Sequence, residues 1–379
     1  MKDKYNACIL LHALGDTIGF KNGDWEFNNS INENKPITEK NFHPEYTLEI
    51  VYEFIMLGGS SNIDLNGWYV SDDTILHMCV IKTLLKENKN IELICKILRK
   101  YFIKAIDESK KSKIERYYGI TTKENINKLR VSESNWNKLK YNDRYSGSGA
   151  SMKSLCIGLV YYGEKNRHEL IEKTIEMCRM THNSTEGYIG ALAASMFVSY
   201  AIEKIDINKW ISKFLKLLES DIIDNYLKNT RKYEYGYYEN VKPYILTMIK
   251  DYIEFKFDKE GNIIKKLTDK HLINRSKRLS YLNLDDSKNY PNHWLGSTSL
   301  ASVIFAYDCL LDCDSVFDTL IYYSMLHWGD SDTTGCIAAG FYGVVYGFKN
   351  IHENLLKNIE FKEELLDLSD KLYKKFYKE

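Results

Sequence analysis

Asp330 and Asp332 alternate with hydroxyl side chains in the sequence Gly329-Asp330-Ser331-Asp332-Thr333-Thr334-Gly335, which we call the second carboxylate motif. The apolar run that follows carries glycines at three- and four-residue spacing, a pattern typical of a tightly packed helix. Residues two apart in a helix point to different faces, so the two carboxylates can converge only in the loop and first turn that lead into it. The motif therefore predicts an oxygen-lined site at a helix N-terminus.

A similar set of side chains lies far upstream, in Ser71-Asp72-Asp73-Thr74, which we call the first carboxylate motif. If the two motifs face each other, four carboxylates share one site, and that much negative charge requires cations between them. Ligation by oxygen alone selects Mg²⁺, Mn²⁺ or Ca²⁺ over zinc. The alternative is that each motif only caps its helix, since Ser or Asp before a helix and Asp in its first turn are favourable there. Two motifs with paired carboxylates are harder to explain as caps alone.

Three further stretches carry candidate functional side chains. Glu26 lies between aromatic residues in a long polar loop and could be a carboxylate with a raised pKa, or an ordinary exposed glutamate. The small residues Gly147-Ser148-Gly149 precede an apolar run and could leave backbone N–H groups free to hold an anion, or could form a flexible turn. His182 could contact phosphate or sugar, or could serve as a structural cap.

Composition excludes several classes of protein. The chain has 379 residues, 44% of them apolar, with 52 basic and 52 acidic side chains, so it has no electrostatic footprint for nucleic acid or for a membrane surface. Its eight cysteines form no Cys-x-x-Cys pair and fall in apolar patterns, as expected for buried thiols in a reducing compartment. No apolar run is long enough to span a bilayer, and the N-terminal apolar stretch is interrupted by His12. We therefore expect a cytoplasmic protein, and we expect it to be a monomer.

Periodicity predicts helices throughout the chain and no strands. The predicted helices are 5–19, 47–57, 75–86, 91–106, 168–180, 207–218, 244–255, 297–311, 315–327 and 355–376, with another beginning at residue 185 or 186. Because the two carboxylate motifs lie at helix starts some 250 residues apart, we expect one all-α domain over residues 1–379, a compact orthogonal bundle of many helices. Residues 109–146 and 256–292 are polar and charged and are interpreted as surface insertions.

Five motifs in order along the chain resemble those of the ADP-ribosylglycohydrolase family, the dinitrogenase-reductase-activating type of ADP-ribosylhydrolase. They are Gly15-Asp16-Thr17-Ile18-Gly19, the first carboxylate motif, Gly147-Ser148-Gly149-Ala150, Met180-Thr181-His182 and the second carboxylate motif. Within the family the chain is most similar to the ADP-ribosylarginine hydrolases, through Trp25-Glu26-Phe27, Val70-Ser71-Asp72-Asp73-Thr74 and Arg179-Met180-Thr181-His182.

The resemblance implies an all-α fold and two Mg²⁺ ions, with Mn²⁺ as the alternative cation. It implies that Ser71, Asp72, Asp73 and Asp332 hold one ion, and that Asp330, Asp332 and Thr333 hold the other. It further implies that the ADP-ribose diphosphate binds to Gly147, Ser148 and Gly149, with His182 near the sugar phosphates, and that the Trp25-Glu26 loop covers the distal ribose as a flap.

The implied activity is hydrolysis of the N-glycosidic bond between ADP-ribose and arginine side chains, with ADP-ribosylated proteins and ADP-ribose as partners. Such a reaction passes through an oxocarbenium-like state and needs an activated water, so Asp72 or Asp73 is the candidate base and Glu26 the alternative acid or base. Two alternatives stay open: hydrolysis of serine-linked ADP-ribose or O-acyl-ADP-ribose, and non-catalytic binding of ADP-ribose. The intact carboxylate motifs favour an enzyme.

Overall fold

The computed structural model describes residues 1–28, 45–131, 136, 139–264 and 295–377, and within these residues the chain forms α-helices joined by turns and short 3₁₀ segments. No strand occurs in those ranges beyond two isolated β-bridges, which confirms the prediction of an all-α fold. The α-helices are α1 (Lys2–Phe20), α2 (Glu45–Met56), α3 (Gly59–Asn62), α4 (Asp72–Lys86), α5 (Ile91–Lys111), α6 (Ile120–Val131), α7 (Leu155–Val160), α8 (Arg167–Arg179), α9 (Thr185–Ile202), α10 (Trp210–Glu219), α11 (Asp221–Thr230), α12 (Tyr235–Lys256), α13 (Ser299–Asp312), α14 (Phe317–Ser324), α15 (Ser331–Tyr346) and α16 (Lys362–Phe376).

Helices α1 and α15 form the centre of the core and touch backbone to backbone. A Cβ added to Gly15 would lie 2.2 Å from the carbonyl oxygen of Gly335, and one added to Gly19 would lie 2.2 Å from that of Ser331. Only glycine permits such an approach, because any side chain would meet main-chain atoms. This contact brings the middle of α1, with Asp16, against the first turn of α15, with Asp332.

Helix α9 is buried on nearly all sides and packs against α13 through another small-residue contact. A Cβ on Gly190 would lie 2.3 Å from Ser299, the first residue of α13. A helix that is apolar all round is expected at the centre of a large core. Together α1, α9 and α15 form the frame that holds the loops bearing the candidate site.

Several helix predictions are wrong at their ends: the helix predicted over 244–255 begins at Tyr235, and the one predicted over 91–106 continues to Lys111. The helix predicted over 315–327 ends at Ser324. There Thr334 Oγ1 of α15 lies 2.8 Å from the Ser324 carbonyl oxygen and 2.7 Å from His327 Nε2. These contacts turn the chain into the second carboxylate motif. The helix predicted over 355–376 begins only at Lys362, after Phe361 with a left-handed φ of 59°. Hydrogen bonds to α15 accompany the end at Ser324, and a left-handed residue precedes the start at Lys362.

The two segments interpreted as surface insertions differ in what the structure describes. Residues 109–146 include α6, whose Ile126 and Leu129 are buried, and Asn125 Nδ2 donates to the carbonyl oxygen of Thr181 at 2.6 Å. This helix therefore packs against the turn that carries His182. Of residues 256–292, only those up to 264 lie in the described part of the chain.

Candidate metal and catalytic site

The two carboxylate motifs lie at helix N-termini, as their spacing predicts. Ser71 is the N-cap of α4, and its Oγ accepts the N–H of Asp73 at 3.1 Å. Asp330 precedes α15 directly, and Asp332 lies in its first turn. The capping interpretation of Ser71 is thus correct, but it leaves the buried carboxylates of Asp72 and Asp73 unexplained.

The structure brings the two motifs together around Asp332. Carboxylate oxygens of Glu26, Asp330 and Asp332 all lie within 4.8 Å of one another. Burial, and next the charge of Asp332, raise the pKa of Asp72 and of Asp73 well above the ordinary value. A further contact joins α15 to α4, since Cys336 Sγ lies 3.4 Å from Asp73 Oδ2. Like charges this close are stable only when protonated or bridged by a cation.

Glu26 is buried, so the alternative that it is an ordinary exposed glutamate is wrong. The backbone N–H of Phe27 donates to the carbonyl oxygen of Gly329 at 2.9 Å, which fastens this stretch to the second carboxylate motif. Burial, and next the charge of Asp332, raise the pKa of the Glu26 carboxyl group. Its Oε2 atom is buried and has no hydrogen-bond partner in the described structure.

These residues fit a divalent cation. The donor set is all oxygen, it is closely spaced, and it includes the unpartnered oxygen of Glu26, which is the arrangement that hard cations such as Mg²⁺ take. Thr333 belongs to the same turn, because its N–H donates to Asp332 Oδ1 at 2.8 Å. Asp72 and Asp73 are not part of this cluster of three; they lie in the first turn of α4, where the charge of Asp332 acts on both. Ser71 is the N-cap of the same helix.

Asp16 is a site residue to which sequence reasoning gave no role. Its Oδ1 accepts the N–H of Ser71 at 3.0 Å, and its Oδ2 accepts the N–H and the hydroxyl of Thr74 at 3.1 and 2.5 Å. Burial, and next the charge of Asp332, raise its pKa to about 7. The available signal was a carboxylate between Gly15 and Gly19 in an otherwise apolar helix, where an isolated charge is costly.

The Arg116–Glu360 ion pair holds the backbone that leads into the first carboxylate motif. The sequence analysis did not predict this pair. The two side chains bond in a fork, with N–O distances of 2.7 and 2.8 Å. Glu360 Oε2 also accepts the N–H of Val70 at 2.9 Å, and the carbonyl oxygen of Arg116 accepts the N–H of Asp72 at 3.0 Å. No local pattern pairs residues this far apart in the sequence.

The Gly147–Gly149 stretch lies between the carboxylates and His182. Ser148 Oγ donates to Asp330 Oδ2 at 2.6 Å, and a Cβ on Gly149 would lie 2.7 Å from His182 Cε1. The N–H of Ser148 donates to the carbonyl oxygen of Ser297 at 2.9 Å, so this backbone donor is not free for an anion as the sequence suggested. These hydrogen bonds join the turn to Ser297 and to Asp330.

His182 and Lys153 line the inner side of that turn. His182 is buried, its Nδ1 lies 2.9 Å from Thr181 Oγ1, and burial together with the charge of Lys153 lowers its pKa well below the ordinary value. Lys153 is also buried, and its Nζ donates to the carbonyl oxygen of Gly149. Burial lowers the pKa of Lys153 to about 8, and the carboxylates of Asp72 and Asp73 act against that shift. Sequence reasoning missed this cation, which has no recognisable local motif.

Comparison with known proteins shows which family the chain resembles. The family model described as ADP-ribosylglycohydrolase matches residues 1–379. The chain is 31% identical over 388 residues to the ADP-ribosylhydrolase ARH1 of Dictyostelium discoideum, covering 98% of this chain and 94% of that protein. It is 34% identical over 347 residues to a protein of Acanthamoeba polyphaga mimivirus assigned as an ADP-ribosyl glycohydrolase, covering 90% of this chain but only 63% of the viral protein.

A solved structure supports the fold. A chain of an ADP-ribosylglycohydrolase-related protein complex superposes with a TM-score of 0.57 at 13% identity, covering 99% of each chain. Within the described ranges, no helix combines the length and the apolar character needed to cross a membrane. The family model matches residues 1–379, and the two carboxylate motifs meet in one buried site. The chain therefore belongs to the ADP-ribosylglycohydrolase family.

Proposed function

We propose that this chain is an Mg²⁺-dependent hydrolase that removes ADP-ribose from arginine side chains and so reverses mono-ADP-ribosylation of proteins. The observation that carries the proposal is the cluster of Glu26, Asp330 and Asp332 oxygens within 4.8 Å of one another, opposite the first carboxylate motif. The family is metal-dependent, and membership supports hydrolysis of ADP-ribose linkages. The near full-length similarity to the Dictyostelium ADP-ribosylhydrolase supports the same reaction class.

The cations would be held by the two carboxylate motifs. In this proposal Ser71, Asp72, Asp73 and Asp332 hold one Mg²⁺, and Asp330, Asp332 and Thr333 hold the other, with Mn²⁺ as the substitute. Such ions supply orientation of the ribose hydroxyls and a more acidic water. The position of these carboxylates at the N-termini of α4 and α15 supports the proposal.

The proton of the attacking water needs a carboxylate that is not fully engaged elsewhere. Glu26 is the best supported base, because its Oε2 is buried and lacks a hydrogen-bond partner in the described structure. Its raised pKa makes Glu26 a stronger base than an ordinary carboxylate, which suits a group that takes up a proton from water and returns it to the leaving guanidine. Asp72 and Asp73 are the other candidates, and Cys336 already contacts Asp73.

The remaining residues would bind and orient the ADP-ribose. Ser148, Gly147 and Gly149 lie beside Asp330 and would carry the diphosphate, with His182 behind them and Lys153 as the buried positive charge beneath the turn. The Trp25-Glu26 stretch would cover the ribose. We further propose that the protein acts in the cytoplasm as a monomer on ADP-ribosylated proteins.

The test is release of ADP-ribose from matched peptides that carry the modification on arginine or on serine, each with Mg²⁺ and with EDTA. Release from the arginine peptide alone, only with Mg²⁺, is the expected result. Release from the serine peptide, or from O-acetyl-ADP-ribose, would move the specificity to those linkages. Binding of ADP-ribose without any release would make the chain a binding protein.

A further inference from the structure

Lys153 places a positive charge in the interior of the protein. The residue is 2% exposed, and lysine is almost never buried this completely unless a carboxylate pairs with it. Within the described ranges Lys153 forms no salt bridge, and its Nζ donates to the carbonyl oxygen of Gly149. An ammonium group has three N–H donors, so two of them lack a partner there. A buried charge with unused donors costs folding free energy, and this lysine therefore needs an explanation other than folding.

The contact from Lys153 holds one side of the Gly147–Gly149 stretch. The carbonyl oxygen of Ser148 accepts the N–H of Ser151 at 2.9 Å, and that of Gly149 accepts from Lys153. Both carbonyl groups therefore face the segment that leads into α7. In a trans peptide the C=O and N–H groups point in opposite directions, so the N–H of Gly149 points away from that segment. No residue in the described ranges accepts this N–H, which leaves it free for an anion.

The charges around the stretch show what Lys153 adds. Burial and the charge of Lys153 lower the pKa of His182 well below the ordinary value, so the imidazole is neutral at pH 7. The carboxylates of Asp72 and Asp73 lie on the other side of Lys153, close enough to act on its pKa. The diphosphate of ADP-ribose is anionic, and of the two basic side chains beside the stretch only Lys153 carries a charge to offset it. In a buried site of low dielectric that charge acts more strongly than it would in water.

We propose that Lys153 is a positioning residue for the diphosphate of ADP-ribose. Its ammonium group holds the Gly149 carbonyl inward, which directs the Gly149 N–H towards the diphosphate, and its charge stabilises the bound anion. This inference rests on the proposed function, because it concerns how the same site takes up ADP-ribose. The lysine lies behind the stretch and contacts neither the ribose nor the bond that is cleaved.

Loss of the charge should affect folding and binding in opposite directions. Burial lowers the pKa of Lys153 to about 8, so the folded protein disfavours the ammonium group relative to the unfolded chain. At pH 7 the charged lysine therefore reduces stability. Lys153→Met keeps an unbranched side chain and removes the charge, so we expect it to raise the Tm of the protein without ligand. A lysine that served the fold alone would lower the Tm when replaced.

The test measures the affinity for ADP-ribose by calorimetry at pH 7 with Mg²⁺. We expect Lys153→Met to weaken binding about 10-fold, because a charge that favours the anion is lost, and Lys153→Arg to stay within about 3-fold of the unaltered protein. The control is Lys89→Met, which removes the same charge from an exposed residue beyond the C-terminal end of α4. On the arginine-linked peptide, KM should rise by the same factor while kcat is retained, as when uniform binding is lost.

Unchanged affinity in Lys153→Met overturns the proposal, and so does an equal loss in Lys153→Arg or in Lys89→Met. A lower Tm together with the lost affinity also overturns it, since the lysine then serves the fold. If the unaltered protein binds ADP-ribose but releases it from no peptide, the proposed function fails, while the affinities still decide the role of Lys153. If it binds no ADP-ribose, the inference about Lys153 is overturned, and release from the peptides decides the proposed function separately.

Discussion

Asp332 is the residue on which the site depends. Its charge is among the causes that raise the pKa of Glu26, Asp16, Asp72 and Asp73, so it faces carboxylates from both motifs and from α1. Sequence spacing already singled it out as a carboxylate at a helix start. The structure adds that it is buried at the point where α15 meets α1 and α4.

Replacing a carboxylate of this site by its amide tests its role in the reaction without unfolding the protein. We expect Asp332→Asn, and likewise Asp72→Asn, to lower kcat/KM for release of ADP-ribose by at least about 100-fold, or about 2.7 kcal/mol. The fold survives because each change removes one of several mutually repelling buried charges. Release assays and circular dichroism check both statements, with Asp367→Asn on the surface of α16 as the control. Unchanged turnover in both variants would remove the proposed metal site.

Gly149 offers a second test at this scale. A methyl group there would lie 2.7 Å from His182 Cε1 and 3.0 Å from Nε2, and the buried imidazole has little room to move. We expect Gly149→Ala to weaken ADP-ribose binding about 10-fold, measured by calorimetry, because the turn beside Asp330 must shift. Gly119→Ala is the matched control, since its nearest neighbour atom is 3.9 Å away. Unaltered affinity would show that the turn takes no part in binding.

At the scale of elements, the glycine contact of α1 with α15 positions the site. Helix α1 carries Asp16, α15 carries Asp332, and their backbones approach so closely that no side chain fits between Gly15 and Gly335. The Arg116–Glu360 pair then fixes the entry to α4 from the opposite side. The carboxylates therefore meet because α1, α4 and α15 are held in fixed positions relative to one another. No local turn brings them together.

Substitution at the helix contact tests this account. We expect Gly15→Ala to reduce the free energy of unfolding by about 3 kcal/mol, because its Cβ would overlap the main chain of α15, which cannot yield as a side chain can. Urea unfolding measures the loss. Gly236→Ala is the control: it lies in α12 with no atom within 4 Å of an added Cβ, and alanine there should stabilise by up to about 1 kcal/mol. Equal changes in the free energy of unfolding for Gly15→Ala and Gly236→Ala would contradict the close contact between α1 and α15.

At the scale of the whole molecule, the site couples stability to pH and cations. Without a cation, the raised pKa of Asp16, about 7, means that the folded chain binds more protons than the unfolded chain between about pH 4 and 7. That contribution to stability is fully present below the unfolded pKa and is lost as the pH rises through about 7. Glu26, Asp72, Asp73 and Asp332 shift in the same direction.

Mg²⁺ should therefore stabilise the protein more as the pH rises. We expect the difference in Tm between samples with Mg²⁺ and with EDTA to be small at pH 5 and to grow towards pH 8, because a cation binds only the ionised carboxylates. Burial lowers the pKa of His12 to about 4, so buried histidines also make stability depend on pH. Their contribution is the same in both samples and cancels in the difference in Tm. A difference that is flat with pH, or that grows towards acid pH, would contradict the carboxylate site.

The sequence alone determined much of this protein. Its periodicity predicts an all-α fold, since an amphipathic helix is a local pattern, and its two carboxylate motifs predict buried oxygen donors at helix N-termini, since capping geometry is also local. Tertiary structure alone decided that Glu26 is buried, that Asp16 bonds to Ser71 and Thr74, and that Arg116 pairs with Glu360. Each of these depends on distances between residues far apart in the chain. Those distances follow from the packing of the helices, including the backbone contact between α1 and α15, which no single stretch of sequence encodes.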